Sequence, residues 1–431
     1  MATLLVTTLP HEGHLNPTFP IARKLAHAGH EIHYLDHPRI RHRLRTEGFP
    51  TVPYRPLSPA DTLMFWRIWR LARAHGLEES RQAIMLFTTR LEVLARYIQS
   101  VIRQLQPALI INDVFNYGTR LAAELAGIPW VDCWTAGLMH ASEDGCTSLH
   151  SREDLTQLSD LFDRRMNSVR RALELPAQEP GAFLRPSPWL QLYCTCAELE
   201  PPHPDPGPGA VYVGPSFSGR REDSESGFLQ DWFQGSQPLI YVSLGTFFNK
   251  RADFFHRIVD AFTGIPVQVV VSSPLATSRS FRALPPNIRF FQRVPQTELL
   301  RRADLFLSHG GNNSVNESLA LGVPLLITPV GGEQEANAVR VEWLGAGLST
   351  ELEQADAGTL RRLALQIIDT PRYKENAVRA QTVLKRCDAA AVSASLIQRI
   401  LETGEPLQRP PGAPLTLYNQ LPLPAWATKE R

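Results

Sequence analysis

Leu305-Phe306-Leu307-Ser308-His309-Gly310-Gly311-Asn312-Asn313-Ser314-Val315-Asn316-Glu317-Ser318-Leu319 is the stretch that decides the fold. Its first three residues are a short apolar run of the kind buried in a parallel sheet. Two glycines follow, and then a helical pattern over Val315–Leu321. A strand that turns through glycines into a helix is half of a βαβ unit. Gly310 and Gly311 let backbone N–H groups approach an anion, and the helix N-terminus adds partial positive charge at the same place. His309 and Ser314 add side-chain donors, with Asn313 between them and the glycines. The ligand chemistry that suits such a loop is a diphosphate. Glu317 lies one turn further on, where a carboxylate reaches two ribose hydroxyls.

The same scheme continues outward on both sides. Leu239–Ser243, Val267–Val271 and Leu325–Thr328 are further buried-strand runs. Helical patterns at Phe254–Phe262, Thr297–Arg302 and Gln334–Leu344 separate them. Gly331-Gly332-Glu333-Gln334 is another loop-to-helix junction, and Glu333 and Gln334 offer a carboxylate and an amide for sugar hydroxyls. Ser243 and Thr246, at the end of the first of these strands, can face the diphosphate from across the loop. Arg293-Val294-Pro295-Gln296 offers a planar side chain and backbone edges for a nucleobase.

The first half of the chain alternates in the same way. Strands are expected at Thr3–Thr8, Glu31–Leu35, Leu109–Ile111 and Trp130–Val131, with helices over Pro17–His27 and around Leu121, Ala122 and Leu125. Two doubly wound α/β domains facing across a cleft follow from this pattern, and ligands of such sheets bind beyond the carboxyl ends of the strands. Two polar groups fall at those ends. His14 lies in Pro10-His11-Glu12-Gly13-His14-Leu15-Asn16-Pro17, and imidazole is the side chain best matched to proton abstraction near neutral pH. Asp113 closes another strand, where it can orient a cleft histidine or cap the next helix.

Composition sets limits around this frame. Lys and Arg total 44 and Asp and Glu total 43, so the basic excess that nucleic-acid binding needs is missing. Cys133, Cys146, Cys194, Cys196 and Cys387 lack metal or redox spacing; they are expected to be reduced core thiols of a cytoplasmic protein. No export signal opens the chain. No run of about 18 uncharged apolar residues suggests a membrane span. Glu200–Gly235 opens on Pro201-Pro202-His203-Pro204-Asp205-Pro206 and turns polar. The expected division is a first domain over 1–205, a linker over 206–235, a second domain over 236–402 and a Pro-rich tail over 403–431.

The motifs resemble a known family. Ser308 to Leu319, Gly322-Val323-Pro324, Pro329–Gln334 and Asn337-Ala338 are similar to the donor signature of the nucleotide-sugar glycosyltransferases that include macrolide and plant natural-product enzymes (glycosyltransferase family 1). With Gly13-His14-Leu15-Asn16-Pro17 and Ser243–Thr246, the resemblance spans nearly the whole chain. It implies two Rossmann-like domains of the B fold and an inverting hexosyl transfer, with glucose from UDP-glucose the expected donor. It implies that His14 is the general base, Asp113 its partner and His309 a phosphate donor, with Glu317 on the ribose and Glu333 and Gln334 on the sugar. Gly311 and Asn313 belong to the same donor site. Arg293 stands where the family often has Trp, and Glu333 where it more often has Asp.

The nucleotide sugar is a co-substrate, so no cofactor is expected, and with no Asp-X-Asp in the chain no metal is expected either. The acceptor is expected to be a hydroxyl of a lipophilic small molecule, such as a natural product or carotenoid. Phe65, Trp66, Trp69, Phe87, Met139 and His140 are candidate pocket walls, with core packing as the alternative. Trp66 and Trp69, interleaved with Arg67, Arg70 and Arg73, also suit peripheral contact with a membrane. Two competing readings are a nucleotide-sugar epimerase on the same architecture and a non-catalytic protein retaining the fold. Donor hydrolysis measured with and without lipophilic acceptors separates them.

Overall fold

The computed structural model describes residues 1–54, 77–135, 152–181, 187–217, 236–245, 252–273, 284–331, 333–419 and 424. In chain order the first half contains β1 (Thr3–Thr7), α1 (Glu12–Leu15), α2 (Thr18–His27), β2 (Glu31–Asp36), α3 (Arg41–Glu47), β3 (Thr51–Pro53), α4 (Leu77–Thr89), α5 (Leu91–Leu105), β4 (Leu109–Asp113), α6 (Tyr117–Ala126), β5 (Trp130–Trp134), α7 (Arg152–Ala172), β6 (Leu190–Tyr193) and β7 (Ala210–Tyr212). The second half contains β8 (Leu239–Ser243), α8 (Ala252–Phe262), β9 (Gln268–Ser272), β10 (Ile288–Phe291), α9 (Gln296–Leu300), β11 (Leu305–Ser308), α10 (Asn312–Ala320), β12 (Leu325–Ile327), α11 (Glu333–Trp343) and β13 (Gly347–Ser349). Three helices close the chain: α12 (Ala357–Asp369), α13 (Pro371–Leu384) and α14 (Ala389–Thr403).

The strands form a seven-stranded sheet in the order β3-β2-β1-β4-β5-β6-β7 and a six-stranded sheet in the order β10-β9-β8-β11-β12-β13. The named strands pair in parallel throughout. Parallel sheets are covered on both faces, which is why their strands read as unbroken apolar runs. In β1, Leu4 and Val6 pack with Phe19 and Leu25 on one face. Leu5 points to the other face, with Ile98 and Ile102. In β8, Ile240 and Val242 join Phe254 and Phe255, whereas Leu239 and Tyr241 join Phe306 and Leu319. Each sheet reverses its order between its first and fourth strands, so a crevice opens between β1 and β4 and another between β8 and β11.

Three features differ from the sequence expectation. β7 lies inside the segment read as linker, because the apolar run Ala210–Val213 is short and flanked by prolines, yet all four residues are buried. α14, grouped by sequence with the second domain, packs against α2 of the first. Its Val392, Leu396, Ile397 and Ile400 belong to the same core as Leu4 and Phe19. α10 begins at Asn312 rather than Val315, because Gly311 takes the extended conformation of an N-cap and polar Asn312 is buried.

The described part of the Pro-rich tail is extended and fixed. Leu407 and Leu417 are buried in the first core, and Arg409 pairs with Asp205. The four described cysteines are free thiols, and Cys196 and Cys387 bring their Sγ atoms within 3.2 Å. No helix among the described residues is long and apolar enough to cross a membrane.

Candidate active site

β1 ends at Thr7, and the chain re-enters helix as the single turn α1. His14 sits on that turn at the mouth of the crevice between β1 and β4. Its Nδ1 lies 2.7 Å from Asp113 Oδ2. The other Asp113 oxygen, Oδ1, accepts the backbone N–H of Phe115 at 3.0 Å. Asp113 is therefore partner of the histidine and closes a turn at Phe115, but it does not cap α6, whose N-cap residue is Asn116. A carboxylate only accepts, so Nδ1 carries the imidazole proton and the lone pair is left on Nε2. Thr135, just past the end of β5, places its Oγ1 3.1 Å from His14 Nδ1 and 3.2 Å from Asp113 Oδ2. The rings of His11 and Phe115 meet the imidazole edge-on, each with centroids 6.1 Å away.

Electrostatics at His14 run in two directions. Burial pulls the imidazole down, but the Asp113 carboxylate, with help from Glu333, overrides it, so the pKa is raised to about 8. Glu333 starts α11 in the second domain. Burial pushes its carboxyl above the usual range, with His14 opposing and Asp113 reinforcing the shift. The group expected to hold the sugar thus senses the group expected to take the proton.

The phosphate-side loop is built around His309. Gly245 has φ +68°, and a Cβ there would come within 2.5 Å of the His309 ring. A Cβ on Gly311 would come within 2.6 Å of the same ring from another side. The imidazole is held between two stretches of glycine backbone. Burial lowers its pKa to about 4, partly offset by a hydrogen bond with the Ser243 backbone, so it is neutral at pH 7. No side chain caps the N-terminus of the nine-residue α10. Positive potential at this loop therefore comes from the helix end rather than from an imidazolium.

The remaining donor-site candidates fall into two groups. Gln296, Ser314 and Glu317 come together: Gln296 Nε2 donates to Glu317 Oε2 at 2.6 Å and to Ser314 Oγ at 3.4 Å, while Tyr241 O–H donates to Gln296 Oε1. Asn313 Nδ2 reaches across to the Gly13 carbonyl at 2.9 Å. Arg293 is largely exposed and lies 3.7 Å from Glu12, also across the cleft. Ser243 and Gln334 act mainly inward. Ser243 Oγ accepts from Gly245 N at 3.3 Å, and Gln334 Oε1 accepts from Val330 N at 2.9 Å. The Val294 side chain is buried in the second core, so only its backbone can edge a base.

Of the acceptor-wall candidates, Phe87 stacks with Phe162 and meets Tyr117 edge-on, which is the core-packing alternative. Phe65, Trp66, Trp69, Met139 and His140, together with Thr246, lie outside the described residues. Thr135 and Asn312 were missed by sequence reasoning. Thr135 had a legible signal, since it follows a strand next to the one ending in Asp113. Asn312 had none, because its polarity read as part of a glycine-rich loop.

A family model described as UDP-glucuronosyl and UDP-glucosyl transferase matches residues 187–388. The NDP-glycosyltransferase YjiC of Bacillus licheniformis is 26% identical over 400 residues, covering 92% of this chain and 97% of its own. The oleandomycin glycosyltransferase of Streptomyces antibioticus is 25% identical, covering 95% and 94%. The solved structure of the kitacinnamycin glycotransferase superposes with a TM-score of 0.74 at 22% identity, over 93% of this chain and 99% of that one. The glycosyltransferase VinC in complex with dTDP superposes with a TM-score of 0.69 at 20% identity, over 93% and 99%. The donor motif, the two switch-point crevices and matches that run through both domains lead to one assignment: the chain is a nucleotide-sugar-dependent glycosyltransferase of the B fold that acts on small-molecule acceptors, and its residues 187–388 are similar to the UDP-glucuronosyl and UDP-glucosyl transferases.

Proposed function

We propose that the enzyme transfers a hexose, glucose from UDP-glucose, to a hydroxyl of a lipophilic small molecule, with inversion and without a metal ion. The observation that carries this reading is the His14–Asp113 pair, 2.7 Å apart, on the opposite side of the cleft from the donor loop. His14 Nε2 takes the acceptor hydroxyl proton. The acceptor oxygen bonds to the anomeric carbon as the bond to the diphosphate oxygen breaks on the far face. An α-linked donor then gives a β-glycoside and a free nucleoside diphosphate. Asp113 stabilises the imidazolium that forms. The uncapped N-terminus of α10 faces the leaving diphosphate, where preorganised donors act on charge as it develops.

Donor choice rests on Glu317. Two ribose hydroxyls can each donate to its carboxylate, in place of or beside Gln296, and a 2′-deoxyribose forfeits one charge-assisted bond. That favours UDP over dTDP. The acceptor pocket is proposed to lie on the first domain, beside His14, with the segment around Phe65, Trp66 and Trp69 contributing. The free thiols among the described cysteines support a cytoplasmic setting.

A mass-spectrometric screen of lipophilic acceptors with UDP-glucose and a dTDP-sugar tests the reading. Glucosides from UDP-glucose are expected, with EDTA causing no inhibition. Epimerised donor, no product at all, or activity lost to EDTA and restored by Mg²⁺ would each contradict it.

A further inference from the structure

We propose that Asn312 is a positioning residue: it ties the first turn of the phosphate-facing helix to Thr135, and through Thr135 keeps the His14–Asp113 pair in register with the bound donor. The proposal rests on the reading of His14 as base and adds the part that couples it to the other domain.

Asn312 is the first residue of α10 and is 3% exposed. Its Nδ2 donates to the Thr135 backbone carbonyl at 2.9 Å, across the cleft. The same residue, Thr135, turns its hydroxyl to both His14 and Asp113. Two hydrogen-bonded steps therefore connect the helix that faces the diphosphate to the pair that takes the proton. The acceptor end of the amide is fixed as well. Asn312 Oδ1 accepts from Asn316 Nδ2 at 3.2 Å and from Arg340 Nη1 at 3.3 Å.

Arg340 makes this more than a chance contact. It is 1% exposed, on α11, and donates from Nη2 to Asn316 Oδ1 at 2.6 Å. Its Nη1 pairs with Glu200 at 3.2 Å, and that carboxylate is 2% exposed. Glu200 also accepts from Thr195 Oγ1 at 2.6 Å, and Asn316 Nδ2 reaches the Cys194 carbonyl at 3.3 Å. A buried ion pair is poor value as plain adhesion between domains, because apolar side chains of the same volume hold as well or better. What it supplies is one permitted geometry. An amide whose donor end must meet Thr135 and whose acceptor end must meet Arg340 cannot slide or flip without losing both.

The other cross-cleft contacts differ in kind. Asn313 to Gly13 and Arg293 to Glu12 involve exposed or half-buried groups that a donor entering the cleft can displace. Asn312 is buried behind them. In-line displacement requires the acceptor oxygen, the anomeric carbon and the leaving oxygen to line up within a fraction of an ångström. Misplacement by about 1 Å, even from a residue outside the chemistry, costs about 10²-fold in rate.

The test compares Asn312→Ala and Asn312→Ser with wild type by three readouts: turnover, UDP affinity by calorimetry, and the titration midpoint of the His14 imidazole followed by NMR. Serine keeps a polar group at the helix start but is too short to reach the Thr135 carbonyl, and it decides the matter if the alanine variant does not fold. Asp113 on β4 and Glu333 on α11 raise the midpoint against burial, and the His11 ring lies against the imidazole; both substitutions leave all three in place. Turnover is expected to fall about tenfold to a hundredfold with the UDP dissociation constant changed less than about threefold. The His14 midpoint is expected to shift away from about 8 as Thr135, which bonds to both His14 and Asp113, loosens and lets the pair change geometry.

Turnover within about twofold of wild type overturns the proposal. So does a loss of UDP affinity as large as the loss of turnover, which would make Asn312 a donor-loop residue only. A fall in turnover with an unmoved His14 midpoint overturns the route through Thr135. The NMR readout needs no substrate, and failure of the base reading itself shows separately, as full turnover in His14→Ala.

Discussion

At the scale of single residues, His14 carries the most specific consequence. It can accept a proton only when neutral, yet Asp113 overrides burial and holds its pKa at about 8. At pH 7 most of the free enzyme then carries a protonated His14, idle in its proposed role as base. kcat/KM is therefore expected to rise about tenfold per pH unit below 8 and to level off above it. Asp113→Asn leaves burial less opposed, so the midpoint should fall while the plateau rate also falls. Initial rates between pH 5.5 and 9.5 check both; a flat profile, or the same midpoint in the variant, would contradict the pairing. Stability follows the same linkage. A raised folded-state value means that the protonated pair stabilises fully below about 6.5, and that this contribution is lost as pH rises through about 8.

At the scale of elements, α10 is where the proposed donor recognition lies. Glu317 lies on it beside Ser314, already bonded to Gln296 at 2.6 Å. Losing one ribose hydroxyl leaves part of a desolvated carboxylate unpaired, at a cost of about 1–3 kcal/mol. Wild type should therefore prefer UDP over 2′-deoxy-UDP by roughly tenfold to a hundredfold, and Glu317→Ala should lose most of that preference. Calorimetry on both nucleotides decides it, and equal discrimination in the variant would make Glu317 a structural helix residue. Much of this element was legible in advance. Glycines, an apolar strand and a helix pattern in sequence specify a strand–loop–helix turn without any knowledge of partners. The limits were physical. The helix start was misplaced because Asn312 is polar, and only a contact with a residue 177 positions away explains its burial. β7 was missed because a three-residue strand between prolines carries too little periodicity. Arg340 carried no sequence signal, since its buried partners Glu200 and Asn312 come from other parts of the chain.

At the scale of the molecule, the two domains are joined by more than the linker. α14 leaves the second domain and packs on α2 of the first, so the end of the chain completes the core around β1. Ile397 is fully buried there. Ile397→Ala should cost about 2–4 kcal/mol through lost burial and the cavity left behind. Although Ile397 follows the second domain in sequence, amide exchange should accelerate in β1 and α2 rather than in β8 and β11. Acceleration confined to the second sheet would contradict the packing. The first domain thus holds the His14–Asp113 pair, on α1 and at the end of β4, and borrows a helix from the far end of the chain. The second domain brings the uncapped helix N-terminus proposed to meet the leaving group. In the proposed mechanism a proton acceptor in one domain works on a donor held by the other. The most direct measurement is turnover of UDP-glucose with an acceptor found in the screen, in wild type and in His14→Ala, alongside UDP affinity for both. Turnover should fall about 10²–10⁴-fold with UDP affinity essentially unchanged; near-normal turnover in His14→Ala would contradict the assignment of the base.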